Sequence, residues 1–251
     1  NKGGIKIFIE KIKKVNKDCC IIVICHINNK SNILEEFLNK NEVNIIYHNF
    51  IELHYDDRFL IIYKILLSFK NFENILISDM NDVMFQNDPF IIENDKLYCP
   101  CEESNITDNN FCGKINMKWI SQFYNLFKIN TNLYEKYKNK KILCCGTIIG
   151  NYNSIIKYLS WYYNILTKKS PIRIVGQGLF NIYCYQNEKD VFIINQKYGK
   201  ILTCGNVKYN MIKTNSKGKL LNDNDEEYVI IHQMDRWGIE KINLLEKNIL
   251  Y

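Results

Sequence analysis

Three side chains able to bind a cation follow a short apolar segment in the first half of the sequence. The segment at 75–77, Ile-Leu-Ile, is typical of a strand buried on both faces of a sheet. Asp79, Asn81 and Asp82 come directly after it. Two carboxylates this close repel each other unless a positive charge lies between them. A hard divalent cation such as Mg²⁺ or Mn²⁺, carrying a nucleotide diphosphate, meets that need. An Asp-rich turn whose side chains bond their own backbone is the alternative interpretation.

The place of these side chains in the predicted sheet favours a ligand site. In open α/β sheets, ligands bind outside the carboxyl ends of the strands. A second apolar group at 83–85 and the sequence Asp-Pro-Phe at 88–90 complete the segment. The whole arrangement resembles the metal-binding motif of GT-A-type glycosyltransferases, enzymes that use a nucleotide sugar and carry a "DxD" signature. Asp82 stands at the second Asp of that signature, Asp79 stands one residue too early for the first, and Asn81 can take part of that role.

The resemblance implies a fold and a metal. The fold would be α/β of the GT-A type, with a mostly parallel central sheet and helices on both faces. The metal would be Mn²⁺ or Mg²⁺, with Asp79 and Asp82 as ligands from one side. His232 ends an apolar run that begins at Tyr228 and opens the order His-Gln-x-Asp-Arg. It resembles the distal His that completes the metal site of the family, and imidazole suits Mn²⁺ better than Mg²⁺. A core histidine bonded to the backbone is the alternative.

Two arginines, Arg58 and Arg236, are expected to orient the sugar and the phosphates. Arg58 stands near the start of the predicted helix before the Asp79 strand, where the family contacts the nucleotide sugar. A surface arginine paired with Asp56 or Asp57 in a helix cap is the alternative for Arg58. Arg236 closes the His-Gln-x-Asp-Arg segment.

Two further segments resemble the donor-sugar pocket of the family. Gly146 and Thr147 interrupt an apolar strand where the family has "Ser/Asn-x-Gly", and such a glycine lets the backbone come close to a ligand. Gln177 remains from the "Asp-Gln…Asn" segment of the family, in which Gly176 here replaces the acid. That loss removes any mechanism that needs a carboxylate at position 176.

The end of the first predicted strand is expected to meet the base or the ribose of a nucleotide. Cys25, His26 and Ile27 lie there, and a structural histidine is the alternative for His26. Met80 and Asn81, which lie between the two carboxylates, are included among the predicted nucleotide contacts.

The catalytic base stays open. An inverting enzyme needs a carboxylate beside the acceptor hydroxyl, and Glu102, Glu103 and Asp235 are the candidates. The two glutamates are equally compatible with the solubilising charges of a loop. We include Asp82 and Gln177 with Glu102 and Asp235 as the predicted catalytic set, and the sequence does not decide between retention and inversion.

The predicted function is metal-dependent transfer of a sugar from a nucleotide-diphosphate sugar, a UDP-sugar foremost, to a hydroxyl on a glycan, a protein or a lipid. A nucleotidyltransferase of the same fold is one rival, but it usually carries a Gly-rich basic loop after the first strand, where this chain has His-Ile-Asn-Asn-Lys at 26–30. A sugar-nucleotide-binding module with little or no catalysis is the other rival, because the DxD signature is broken.

Composition excludes several classes of protein. With 251 residues, 47% apolar and 13% aromatic, the chain can bury a substantial core. The net charge is +6, but the lysines are scattered, and the densest basic stretch at 136–141 is typical of a solvated helix face. We therefore expect no nucleic-acid partner. No apolar run approaches the roughly 20 residues of a membrane helix, so no integral membrane segment is expected, and no signal peptide is visible.

The ten cysteines predict free thiols rather than a disulfide framework. Cys19-Cys20 and Cys144-Cys145 are adjacent pairs inside apolar runs, where cysteine packs as a small hydrophobe. The sequence contains no Cys-x-x-Cys pair, so a structural zinc site is not expected. These features predict a reducing compartment, hence the cytoplasm. The sequence does not begin with Met, which is compatible with a longer multidomain chain.

The elements that position these residues are predicted from apolar periodicity. One domain at 1–251 is expected, with a nucleotide-binding half at about 17–90 and an acceptor half at about 91–251. The predicted helices span 5–16, 31–38, 58–69, two or more within 114–141, 153–167, a segment from 176, and 238–251. The predicted strands span 19–27, 43–47, 75–77, 96–101, 142–150, 191–195, 201–204 and 228–232.

Overall fold

The computed structural model describes residues 2–49, 58–70, 72–91, 95–168, 176–238 and 242. Within these ranges the chain is a mixed α/β structure with seven α-helices and twelve short strands. The helices are α1 (Lys2–Val15), α2 (Asn32–Lys40), α3 (Arg58–Ser68), α4 (Phe111–Leu126), α5 (Leu133–Tyr137), α6 (Tyr152–Lys168) and α7 (Gly176–Gln186). The strands are β1 (Ile22–His26), β2 (Asn44–His48), β3 (Asn74–Ser78), β4 (Val83–Phe85), β5 (Leu97–Asn105), β6 (Lys141–Leu143), β7 (Thr147–Asn151), β8 (Val191–Ile194), β9 (Ile201–Thr203), β10 (Lys213–Thr214), β11 (Leu220–Leu221) and β12 (Ile230–His232).

The first unit of the chain is a parallel pair of strands joined by a helix, as predicted. β1 and β2 pair in parallel from Ile22 to His26, and α2 connects them. Ser31 caps α2, because its hydroxyl oxygen accepts a hydrogen bond from the backbone N–H of Leu34 at 3.3 Å. α1 buries its apolar face beside this unit, with the ring of Phe8 edge-on to Phe85 at 5.0 Å.

The largest sheet is mixed rather than mostly parallel. Its strands lie in the order β3-β7-β5-β6, with β8 also paired to β5. β7 runs antiparallel to β3 and to β5, β6 runs antiparallel to β5, and only β8 is parallel to it. The apolar runs that identified these strands report burial but carry no information on direction. The expectation of a mostly parallel central sheet is therefore not met by the described strands.

β6 and β7 behave as one strand with a break in it. β6 pairs with the second half of β5 and β7 with the first half, and Cys144, Cys145 and Gly146 lie between them. The backbone N–H of Cys144 still bonds the carbonyl of Pro100 at 2.9 Å. The predicted interruption of the strand is confirmed, but it covers residues 144–146, and Thr147, expected within the interruption, is the first residue of β7.

A three-stranded sheet joins early and late parts of the sequence. β12 lies between β4 and β9, antiparallel to β4 and parallel to β9. In this register His232 stands opposite Val83, the residue directly after Asp82. The pairing brings residues far apart in sequence to one sheet end.

Two predicted boundaries were wrong. Glu102 and Glu103 do not follow the strand but lie inside it, because β5 continues to Asn105 and pairs there with Lys141. The predicted helical stretch at 114–141 is α4 and α5 with a turn between them, and residue 141 already belongs to β6.

Some predictions fall outside the described residues. These are the cap at Asp56 or Asp57 and, except for residues 238 and 242, the closing helix at 238–251. None of the helices described is both long and apolar enough to cross a membrane.

Candidate metal centre

Asp79, Asp82 and His232 come together at the ends of β3, β4 and β12. Asp79 directly follows β3, Asp82 directly precedes β4, and His232 is the last residue of β12. One ligand atom from each lies within 4.8 Å of the others. The imidazole Nε2 of His232 stands 3.6 Å from Oδ2 of Asp79 and 3.9 Å from Oδ2 of Asp82. The three side chains thus form one cluster, although some 150 residues separate the carboxylates from the histidine.

The histidine presents one nitrogen to the carboxylates and the other to a thiol. Its Nδ1 lies 3.5 Å from Sγ of Cys144, and the side chain is only 1% exposed. Nε2 is buried and has no hydrogen-bond partner among the described residues. A buried imidazole nitrogen without a partner is costly unless something binds it, so Nε2 has the character of a free ligand atom.

The two carboxylates have different surroundings. Burial raises the pKa of Asp79, but His232 and Arg58 outweigh that effect and hold the pKa below its ordinary value. The guanidinium of Arg58 contacts Oδ1 of Asp79 directly and donates through Nη2 to the carbonyl of Cys145 at 3.3 Å. Burial is the main reason that the pKa of Asp82 is raised, and Asp79 adds to the shift while His232 opposes it. A cation bound near Asp82 would favour the charged form of this carboxylate and lower its pKa.

Gly146 makes the close approach possible. Its carbonyl accepts a hydrogen bond from the backbone N–H of Asp79 at 2.7 Å. A Cβ at this position would lie 2.2 Å from Cε1 of His232 and 2.8 Å from Oδ2 of Asp79. Only glycine allows the strand break to pass between the two ligand side chains.

The donor set fits a divalent cation. Two carboxylates and an imidazole are ligands that Mn²⁺ accepts. Ligands about 2.1 Å from a shared ion stand up to about 4.2 Å apart, close to the 4.8 Å that encloses these atoms. Because Mn²⁺ and Mg²⁺ favour octahedral coordination with six ligands, three protein ligands would leave positions for other groups.

A cavity of about 700 Å³ opens beside this centre, between β1 and β3. Apolar side chains of both strands and of α3 line most of it. Its polar lining includes His26, His48, Arg58, Ser78 and Asp79. The rings of His26 and His48 meet edge to face at 5.2 Å. The cavity is of the size of a small-molecule site and shares Asp79 with the metal centre.

The predicted nucleotide contacts divide into those that meet the cavity and those that do not. His26, Arg58 and Met80 line it. Cys25 is buried in the core, and the exposed Ile27 does not line the cavity. Asn81 is exposed.

Glu102 and Gln177 meet on another side of His232. Nε2 of Gln177 donates to Oε1 of Glu102 at 3.4 Å and to Oδ1 of Asn116 at 3.1 Å. Burial raises the pKa of Glu102, and Gln177 and His232 only partly offset the shift. Asn116 is 2% exposed and donates to the carbonyl of Cys112 at 2.9 Å. The arrangement fixes Gln177 and makes Glu102 more basic than an exposed glutamate.

Two predicted site residues do not belong to the ligand cluster, although the charge of Asp235 adds to the raised pKa of Asp82. Asp235 and Arg236 are exposed and pair with each other, with Nε of Arg236 3.5 Å from Oδ1 of Asp235. Arg236 lines a second cavity, which shares no lining residue with the first. Thr147 is fully buried opposite Ser78 in the β3–β7 ladder.

No protein-family model matches this chain, and no curated protein is significantly similar to it.

Sequence reasoning missed two residues of the centre. Cys144 supports Nδ1 of His232, but inside an apolar run it has the pattern of a core cysteine. Asn116 holds Gln177, but it lies in a helix whose other notable residues are aromatic. In the sequence, Cys144 lies inside the predicted strand 142–150 and Asn116 inside the predicted helical region 114–141, so neither stood at a predicted strand end.

Proposed function

We propose that this protein is a metal-dependent glycosyltransferase of the GT-A type that uses a nucleotide-diphosphate sugar, with a UDP-sugar as the expected donor. The observation that carries the proposal is the convergence of Asp79 and Asp82 with the unpartnered Nε2 of His232 at the edge of a 700 Å³ cavity. The mixed sheets are compatible with an α/β fold of this kind. The acceptor is a hydroxyl group of a glycan, a protein or a lipid.

Asp79, Asp82 and His232 would hold the cation, Mn²⁺ in preference to Mg²⁺ because of the imidazole. A bound divalent cation supplies positive charge to a departing diphosphate. The cavity between β1 and β3 would take the nucleoside, since apolar walls and a few polar groups at one end are typical of such sites.

Arg58 has a positioning role in this proposal. Together with His232, its guanidinium lowers the pKa of Asp79, and it is anchored to the carbonyl of Cys145. It lines the cavity, so it can reach a phosphate that enters there, and its planar fork suits a phosphate better than a lysine does.

Glu102 is the group best placed to take the acceptor proton in an inverting reaction. Its raised pKa makes it a better base near neutral pH than an ordinary glutamate. Gln177 fixes the carboxylate from one side. Asp235 is exposed and paired with Arg236, so we do not propose it as the base.

A binding module without catalysis is the second candidate, and one contact favours it. The guanidinium of Arg58 already neutralises Asp79, so the carboxylate pair is partly satisfied without a cation. Release of UDP from a UDP-sugar in Mn²⁺ separates the two candidates, because a module binds the donor without releasing UDP.

The decisive test measures the binding of UDP, with and without Mn²⁺, through its effect on thermal unfolding. A ligand at 100 times its dissociation constant adds about 2.7 kcal/mol to the free energy of unfolding. We expect that gain only with both components, and we expect Asp82→Asn and His232→Ala to abolish it. Asp190→Asn removes a carboxylate paired at the surface with Lys157 and serves as the matched control. Equal gains in all four proteins would refute the metal centre.

A further inference from the structure

A second cavity of about 560 Å³ lies where two loops leave the sheet that carries His232. Its lining comes from residues 204–210 after β9 and from Arg236 and Trp237 after β12. β9 and β12 are parallel neighbours, so both loops leave the same edge of the sheet. His232 ends β12 at that edge.

The cavity has a fixed aromatic wall. Nε1 of Trp237 donates to the carbonyl of Val207 at 2.6 Å, which ties the indole to the facing loop. The ring of Tyr209 meets the indole edge to face at 5.2 Å. An aromatic pair held in this way offers an apolar surface at little cost in conformational entropy.

Polar groups of two kinds accompany the aromatic wall. Lys208 and Arg236 bring positive charges, and Asn206 and Asn210 bring amides that can both donate and accept hydrogen bonds. Asp235 lies 3.5 Å from Nε of Arg236 and neutralises one of the two cations. The lining thus keeps one positive charge in excess. An aromatic wall with amides beside it suits a sugar ring, and an excess cation suits an anionic substituent on that ring.

The cavity adjoins the candidate metal centre through the backbone. The N–H of Met234 donates to the carbonyl of Asp82 at 3.2 Å. A Cβ on Gly205 would lie 2.3 Å from Oε1 of Gln233, the residue after His232. Asn206 also reaches α4, where its amide donates to Sγ of Cys112 at 3.3 Å, and Cys112 holds Asn116 of the Gln177 network. The second cavity therefore abuts both the cation ligands and the Glu102 side of the site.

We infer that this cavity binds the acceptor and that the acceptor is a carbohydrate bearing a phosphate or a carboxylate group. Arg236, expected from the sequence to orient the donor, belongs to the acceptor in this inference. The role of this sugar as an acceptor rests on the proposed function. Binding of an anionic sugar in this cavity is testable without a donor or a metal.

The experiment measures binding of glucose 6-phosphate, glucuronic acid and neutral glucose to the full chain by saturation-transfer NMR, without Mn²⁺ or UDP. We expect at least one anionic sugar to bind more tightly than glucose, and the two arms tell phosphate from carboxylate. Arg236→Gln should weaken that binding about tenfold, the usual effect of losing a charge-assisted hydrogen bond. Trp237→Ala should weaken it too, and Trp237→Phe, which keeps an aromatic wall, should retain most of it. Lys189→Gln, at an exposed residue outside the cavity, is the matched control for charge.

A second measurement separates this inference from the proposed function. Arg236→Gln should leave the affinity for UDP with Mn²⁺ unchanged. The inference is overturned if neither anionic sugar binds better than glucose. It is also overturned if Arg236→Gln weakens the binding of UDP as much as it weakens the binding of the anionic sugar. Failure of the parent protein to bind UDP with Mn²⁺ refutes the proposed function instead, and leaves the sugar measurement to stand by itself.

Discussion

At the scale of single residues, the candidate centre depends on neighbouring groups that hold its ligand side chains in place. Cys144 supports Nδ1 of His232 while Nε2 points to the carboxylates. Arg58 does the same for Asp79, because the guanidinium is itself held by the carbonyl of Cys145. Such supporting contacts hold ligand atoms ready for a cation before it arrives. The three candidate ligands are therefore already close together in the folded chain.

Gly146→Ala is the residue-scale test of that arrangement. The added Cβ would stand 2.2 Å from Cε1 of His232, so the imidazole must move. We expect Mn²⁺ affinity, measured by titration calorimetry, to fall about 10- to 100-fold, as for other changes beside metal ligands.

Gly205→Ala is the control for the Gly146 variant. Its Cβ would meet only Oε1 and Cδ at the end of the Gln233 side chain, a flexible group that can turn away. Equal Mn²⁺ affinities for the two variants would show that His232 does not bind the ion.

At the scale of elements, one polar cluster ties the β10–β11 hairpin to the segment after β4. Oε2 of Glu227 accepts from Lys219 at 2.7 Å and from Asn87 at 2.9 Å. Oε1 accepts from Asn215 at 2.9 Å. Burial raises the pKa of Glu227, but these donors outweigh it and leave the pKa below its ordinary value of 4.5.

Glu227→Gln should therefore destabilise the protein in a pH-dependent way. A carboxylate with a lowered folded-state pKa contributes stability above its unfolded-state pKa and loses it as the pH falls through the folded-state value. We expect a loss of about 1 kcal/mol in urea unfolding at pH 7. The difference from the parent should shrink steadily below about pH 4.5.

Glu188→Gln is the control for Glu227. It breaks an exposed pair with Lys140 and should change stability little at either pH. A Glu227 variant with the same deficit at pH 3 and pH 7 would contradict the ionic origin of its contribution.

The elements also show how far the sequence alone leads. The helix starting at Arg58, the parallel β1–α2–β2 unit and the break at Gly146 follow from apolar periodicity, a helix cap and a glycine. The direction of β5, β6 and β7 does not follow, because a strand buried on both faces has the same apolar pattern whichever way it runs. The length of β5 is equally hidden, since Glu102 and Glu103 look like a loop until their partner strand is known.

The same limit applies within the site. Strand ends identified Asp79, Asp82 and His232, and the structure brings these three together. Arg236 follows the same strand as His232, yet it lines the second cavity, because the chain turns through a left-handed Gln233 with φ of 59° directly after the ligand. One residue with positive φ redirects every side chain that follows it, and no pattern in the sequence reports it.

At the scale of the whole molecule, the ten cysteines are all free thiols, as predicted. Two of them, Cys99 and Cys184, have sulfur atoms 3.4 Å apart in the core. Both are fully buried, and burial raises the pKa of the Cys184 thiol well above its ordinary value. Such thiols are poor nucleophiles.

Alkylation followed by mass measurement tests this distribution. In denaturant without reductant, we expect all ten thiols to be modified. In the native protein, the exposed Cys20 should react first, while Cys99 and Cys184 should react only as fast as the protein unfolds. A pair that stays protected in denaturant would reveal a disulfide and would contradict the predicted reducing compartment.

The β4–β12 pairing has a consequence for the order in which the helices and the ligand cluster form during folding. Two ligands precede residue 83 and the third is residue 232, so the chain must close a very long loop before the cluster exists. Closing such a loop is entropically costly, and contacts of this range tend to form late in folding. During synthesis, the carboxylates emerge long before the imidazole. A refolding chain should therefore form its helices before the candidate cation site is complete, so that the cation binding proposed above would report one of the last contacts to form.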